Sequence, residues 1–145
     1  MDKSYELSGE IPSTDDYLRL RRVTGLSPKS AEGAAIGLPR SIFGVVVRKD
    51  GRVVGMGRVI GDGGLMLQVT DIAVEPAHQG RGLGKAIMAR IAAFLEEKLP
   101  DGAYVSLIAD GEAHRLYSQF GFEPTAPHSI GMARFIRPLP GSAAR

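Results

Sequence analysis

The amino-acid sequence predicts one mixed α/β domain with its elements in the order β-α-α-β-β-β-α-β-α-β. Three observations predict it. From Val45 to Val74 the chain reads as a meander, with apolar and alternating runs around Asp50-Gly51 and the turn Gly61-Asp62-Gly63-Gly64. Leu83, Ile87, Ile91, Leu95 and Leu99 form a stripe at helical spacing, with Arg90, Glu96, Glu97 and Lys98 toward the polar side. The 145 residues, 43 % hydrophobic and 23 % charged, suffice for one domain, 1–145, with its own core.

The elements follow in order. Tyr5 to Leu7 is a short extended piece. In "PSTDDYLRLRRVTG", Ser13 or Thr14 is the expected N-cap, Tyr17, Leu18 and Val23 supply an apolar face, and Gly25 stops the helix. Asp15 and Asp16 sit in its first turn, where the helix dipole favours acids. "SPKSAEGAAIG" predicts a second short helix with Ser27 as N-cap and Pro28 at its first position. The three-strand meander comes next, ended by Pro76, and Asp62 reads as a turn residue between glycines. The long helix runs from Gly82 to about Leu99 and is broken by Pro100-Asp101-Gly102. "AYVSLIA" is apolar enough for a central strand. "DGEAHRLYSQFG" predicts a short helix capped by Asp110 and ended by Gly121, "FIRP" a last edge strand, and residues 138–145 a loose tail.

Composition narrows the function classes. Without cysteine there is no disulfide framework, thiolate metal site or cysteine nucleophile, which suits a reducing cytoplasm. The N-terminus lacks a signal-peptide core, and no apolar run approaches the ~18 residues that span a bilayer. A net charge of +2, scattered basic residues and 6 % aromatics point away from nucleic acid. The histidines and carboxylates show no metal-ligand spacing, so no metal is expected. His78 and His114 read as solvated surface, and His128 stays open near a possible acceptor channel. A soluble enzyme or a small-ligand binding domain remains.

Between the third meander strand and the long helix stands "DIAVEPAHQGRGLGKAIMARI", residues 71–91, with glycines at 80, 82 and 84. Backbone N–H groups at a helix N-terminus make an anion site suited to phosphate, which small residues let approach closely. Arg81 and Lys85 add positive charge. The run is neither the dinucleotide fingerprint, which needs a different glycine spacing, nor a P-loop, since Gln79 and Ala86 stand where that motif needs Gly and Ser or Thr. It does match Q-x-x-G-x-G, as Gln79-Gly80-Arg81-Gly82-Leu83-Gly84. With "DIAVEP", "VVGMGRVI" and "SLIADGEAHRLYSQFGF", the chain strongly resembles the Gcn5-related N-acetyltransferase (GNAT) family over most of its length. "GLGKA", "LIAD" and "FGFEP" are particularly similar to plant serotonin or plastid protein acetyltransferases, and to many small bacterial members.

That resemblance implies a mixed, mostly antiparallel sheet whose central strand is bulged and splayed, with acetyl-CoA as cosubstrate. It implies that main-chain groups of Ile72, Ala73 and Val74 pair with the pantetheine arm and that an amide at or beside Ile72 holds the oxyanion. Gln79, Gly80, Arg81, Gly82, Leu83, Gly84 and Lys85 would then surround the pyrophosphate. Tyr117 takes the position of the acid that protonates the leaving thiolate, a role the motif favours over that of a core aromatic beside Phe120 and Phe122. Asp71 is either an electrostatic site for the incoming ammonium that relays its proton through water, or an exposed carboxylate at a strand end. Asp110 stands where many members have Asn, and a contact to the amine or the cofactor can coexist with its capping role. The acceptor end falls at residues 20–42, 58–64 and 124–135. It is a small-molecule amine or a protein lysine or N-terminal amine. A non-catalytic acyl-CoA sensor is the reading from another class. The family's homodimers would place an interface at Met132 to Ile136.

Overall fold

The computed structural model describes residues 2–142. Its single sheet has the strand order β1-β2-β3-β4-β5. β1 (Tyr5–Ser8), β2 (Phe43–Lys49), β3 (Arg52–Gly61) and β4 (Met66–Val74) pair antiparallel, and β5 (Tyr104–Ser106) joins β4 in parallel. Helices α1 (Thr14–Val23) and α2 (Ala31–Gly37) precede the meander, α3 (Leu83–Lys98) connects β4 to β5, and α4 (His114–Ser118) follows β5.

Both sheet faces are covered, which explains why β2 reads as an unbroken valine run rather than an alternation. Val45 and Val47 face Leu83, Ile87 and Ile91 of α3 in one core, while Val46 faces Tyr17, Leu20 and Ala34 of the first two helices and Leu38 just after them in the other. α3 thus lies on one side of the sheet, and α1 and α2 on the other.

Local signals fix several element ends. Ser13 caps α1, its hydroxyl accepting from Asp16 N at 3.2 Å. The second helix starts later than its sequence suggests. Ser30, not Ser27, is its cap, accepting from Gly33 N at 2.9 Å, because the Ser27 carbonyl and hydroxyl both accept from Arg21. Asp110 does not cap α4 either: its carbonyl accepts from Ala113 N at 3.0 Å in a turn, and helical geometry begins only at His114. "FIRP" forms no strand. β5 has only three residues to pair with, Pro138 lacks an N–H, and Phe135 turns its ring to Lys29 Nζ, 5.5 Å from the centroid. Met132 and Ile136 lie exposed. Of the expected tail, residues 143–145 lie outside the described residues, and Gly141 sits against Pro28. Among the described residues no helix is long and apolar enough to cross a membrane.

Candidate active site

The site grows from an irregularity in β4. Thr70 pairs with Arg58 and Ala73 with Met56, so Asp71 and Ile72 together oppose Gly57 alone. This is a β-bulge, and Asp71 adopts φ 59° within it. Gly57 permits the packing around it: a Cβ there would lie 2.7 Å from Ile72 Cδ1 and 2.8 Å from Ile87 Cγ2.

Ahead of the bulge β4 has already lost its other neighbour. Its parallel pairing with β5 covers only Met66–Gln68 against Tyr104–Ser106, after which the strands part. A cleft of about 300 Å³ opens there, lined by Asp71 and Ile72 from β4 and by Leu107, Asp110 and Tyr117 from beyond β5. The hydrogen bond from Glu75 N to Val54 O sets the alternation of the ladder. Ala73 turns its main-chain groups to β3, whereas Ile72 and Val74 turn theirs to the open side. Ala73 therefore does not share the free edge expected of all three residues. Gln79 also has an internal role, its side-chain amide donating to Val74 O at 3.0 Å.

The glycine turn follows directly. Gly80 (φ 77°) and Gly82 (φ 80°) occupy the left-handed region, and nothing lies within 4 Å of a Cβ on either. Gly82 precedes α3 without a side-chain cap, leaving the first-turn amides of Leu83, Gly84 and Lys85 without intrahelical acceptors. Leu83 is buried and anchors the turn in the core, while Arg81 and Lys85 are exposed beside it. A Cβ on Gly84 would make only ordinary contact with Leu116, so its absence matters less. Open space, undonated amides and two cations fit a pyrophosphate.

Tyr117 is half-buried, packing against the α3 core while lining the cleft. Burial, reinforced by the Asp110 charge, pushes its phenol above the ordinary tyrosine range. It stays protonated at neutral pH. Asp110 is exposed and lines both the cleft and a larger, mainly apolar cavity of about 630 Å³ walled by Ile108 and residues 131–135. Asp62 is the turn residue its sequence indicates: Oδ1 accepts from the amides of Gly64, Leu65 and Met66, which lowers its pKa.

Asp71 is not the exposed strand-end carboxylate that one sequence reading allowed. Its side chain is 3 % exposed and receives Arg21 Nη1 at 2.5 Å, Arg58 Nε at 2.8 Å and the Tyr17 hydroxyl at 3.1 Å. Burial and the Asp71 charge raise the Tyr17 pKa. Sequence reasoning missed this cluster. Its faint signals were Arg58 as the lone charge in "VVGMGRVI" and the i, i+4 spacing of Tyr17 and Arg21. His78, expected as solvated surface, is half-buried with Nδ1 2.7 Å from the Tyr5 hydroxyl. His114 is exposed on α4. Among the described residues no group of three or more His, Asp or Glu is arranged to hold a metal ion.

Residues 40–124, more than half of the chain, match the acetyltransferase (GNAT) domain family. The chain belongs to the GNAT family. A solved structure from meticillin-resistant Staphylococcus aureus, described as a protein of unknown function and probable acetyltransferase, shares 44 % identity at a TM-score of 0.86, covering 91 % of this chain and 99 % of that one. Serotonin N-acetyltransferase 2, chloroplastic, of Oryza sativa subsp. japonica is 37 % identical over 83 residues, 57 % of this chain and 40 % of its own length. A histone acetyltransferase of Glycine max is 33 % identical over 81 residues, 56 % of this chain. The GNAT chain spans about a third of the length of the first curated relatives it matches, 34 % for the Glycine max protein. The five-strand mixed sheet, with its bulge and splay, agrees with the GNAT fold.

Proposed function

We propose that this GNAT protein is an acetyl-CoA-dependent N-acetyltransferase in which a primary amine attacks directly within a ternary complex. One observation carries the reading: the splay between β4 and β5 brings the free main-chain edge at Ile72, the Tyr117 phenol and the Asp110 carboxylate to one cleft. Acetyl-CoA supplies an acyl group already activated as a thioester.

Each residue then has a task set by its surroundings. The Gly80–Lys85 turn holds the pyrophosphate, and Ile72 and the Val74 amide pair with the pantetheine arm as a strand would, the Val74 carbonyl being taken by Gln79. The Ile72 amide donates to the carbonyl oxygen as negative charge builds on it. Tyr117, kept protonated by burial, gives its proton to the departing sulfur. Asp110, exposed where the cleft meets the larger cavity, draws in the ammonium and receives its proton through water. Asp71, already committed to Arg21, Arg58 and Tyr17, acts as a positioning residue that holds the bulge rather than as the proton acceptor.

A protein lysine is the alternative acceptor, favoured by the similarity to a plant histone acetyltransferase. Thiol release across a panel of small amines and lysine peptides separates the two. Tyr117→Phe should lower kcat by about 100-fold, within the usual range for general-acid catalysis, while acetyl-CoA affinity is kept. Tight acetyl-CoA binding with no turnover on any amine would instead identify a sensor.

A further inference from the structure

We propose that the acceptor carries an anionic group, a carboxylate or a phosphate, a few bonds from its reacting amine, and that Arg58 and Lys29 form the subsite for it. The inference rests on the acyl-transfer reading and names the substrate class of that same site.

A pocket of about 190 Å³ lies among α1, α2 and β3, lined by Tyr17, Lys29, Ser30 and Arg58 together with small residues of α2. Tyr17 and Arg58 both bond to Asp71, and Asp71 lines the catalytic cleft, so one carboxylate separates the two spaces. The lining of the smaller pocket includes two cations and no acid. In the cluster behind it, two guanidinium charges meet one carboxylate, leaving +1; Lys29 raises the local sum to +2.

Arg58 is also oriented in advance. Nε donates to Asp71 at 2.8 Å, Nη1 to Ser41 Oγ at 2.9 Å, and the guanidinium carbon lies 5.3 Å from the centre of the Tyr17 ring. Nη2 has no protein acceptor among the described residues, and it is not among their sealed, unsatisfied atoms. A fixed guanidinium with a donor left open is suited to a carboxylate or phosphate oxygen, and Lys29, its Nζ 5.5 Å from the Phe135 ring centre, adds a point charge from the exposed α1–α2 loop. Ser30 Oγ, which accepts from Gly33 N, retains its own proton to donate.

The test measures thiol release with amine pairs that differ in one group: an α-amino acid against its amide, and a phosphorylated amine against its hydroxyl parent. The anionic member should show a KM lower by about 10- to 100-fold, the usual worth of a charge-assisted hydrogen bond. Which pair shows the difference tells carboxylate from phosphate. Lys29→Met should shrink the ratio of kcat/KM between anionic and neutral members by about tenfold, and Lys29→Glu should shrink it further. Equal KM within both pairs, or a ratio that Lys29→Glu leaves unchanged, overturns the inference while acyl transfer stands. If acetyl-CoA binds but no amine is acetylated, the acyl-transfer reading fails separately. Titration with inorganic phosphate and with acetate then decides the subsite: saturable amide shifts at Ser30 and Gly33 that Lys29→Glu abolishes uphold it, and none refutes it.

Discussion

Replacing Asp71 by Asn removes one charge from the most buried ionic group of the site and little else. Asn tolerates the left-handed backbone that Asp71 adopts at φ 59°, so the bulge itself is not strained by the change. What changes is the counter-ion. Arg21 and Arg58, with side chains 9 % and 12 % exposed, would face each other across a neutral amide. Leaving buried charges uncompensated costs about 3–5 kcal/mol. For a domain of this size, where 1 kcal/mol moves Tm by about 2–4 °C, the melting point should fall by about 10 °C. Circular-dichroism melts and urea titrations of the purified protein give both quantities. Adding Arg58→Met should recover at least about 1 kcal/mol of the loss, since the two residues touch and their effects are not additive. An Asp71→Asn protein within about 1 kcal/mol of wild type would refute the reasoning: the cluster would then be hydrated, and Asp71 would not hold the bulge.

Three further outcomes are expected. Because burial and Asp110 raise the Tyr117 phenol above the ordinary value of 10.0, its acid form persists below that raised pKa; the alkaline limb of kcat should lie above pH 10 and be absent from the residual activity of Tyr117→Phe. Glu10 is drawn from 4.5 down to about 2, chiefly by its hydrogen bond with Arg48 and then by Ser8, so its contribution is complete above pH 4.5 and disappears as pH falls through about 2. Its side chain is 42 % exposed, so solvent screening keeps that contribution below about 1 kcal/mol. Stability curves of Glu10→Gln and wild type should accordingly converge at the acid end, and a gap that is constant with pH would contradict this. Gly57→Ala places a Cβ against Ile72 and Ile87 and should destabilise by about 1–3 kcal/mol in the same urea assay, with Gly37→Ala, where a Cβ has open space, as its comparison.

The parts of this molecule that sequence reveals are those set by neighbours along the chain. The meander turns, the α3 stripe and the Ser13 cap depend on residues within a few positions of one another, and each sits where its pattern indicates. The left-handed glycines of the turn before α3 are local in the same way. Long-range partners decide the rest. Ser27, with Pro28 after it, is the expected cap of α2, but Arg21 reaches across to its carbonyl and hydroxyl, and Ser30 caps the helix instead. Asp71 is joined to Arg21 across 50 positions and to Arg58 across 13, so no local pattern shows that it is buried and neutralised. "FIRP" has strand composition, but a strand needs an edge to pair with, and β5 is three residues long.

The most direct measurement is acetyl-CoA binding by calorimetry to wild type, Gly82→Asn and Gly82→Asp. Both variants suit the left-handed backbone at φ 80°, and nothing lies within 4 Å of a Cβ there, so the fold should be kept in each. They differ in one negative charge placed where the pyrophosphate is to sit. The account predicts measurable wild-type binding, a loss of about tenfold or more with Asn from bulk alone, and a further loss of about tenfold or more with Asp from repulsion. Wild-type protein that binds no acyl-CoA, or a Gly82→Asp protein that binds it as tightly as wild type, would contradict it.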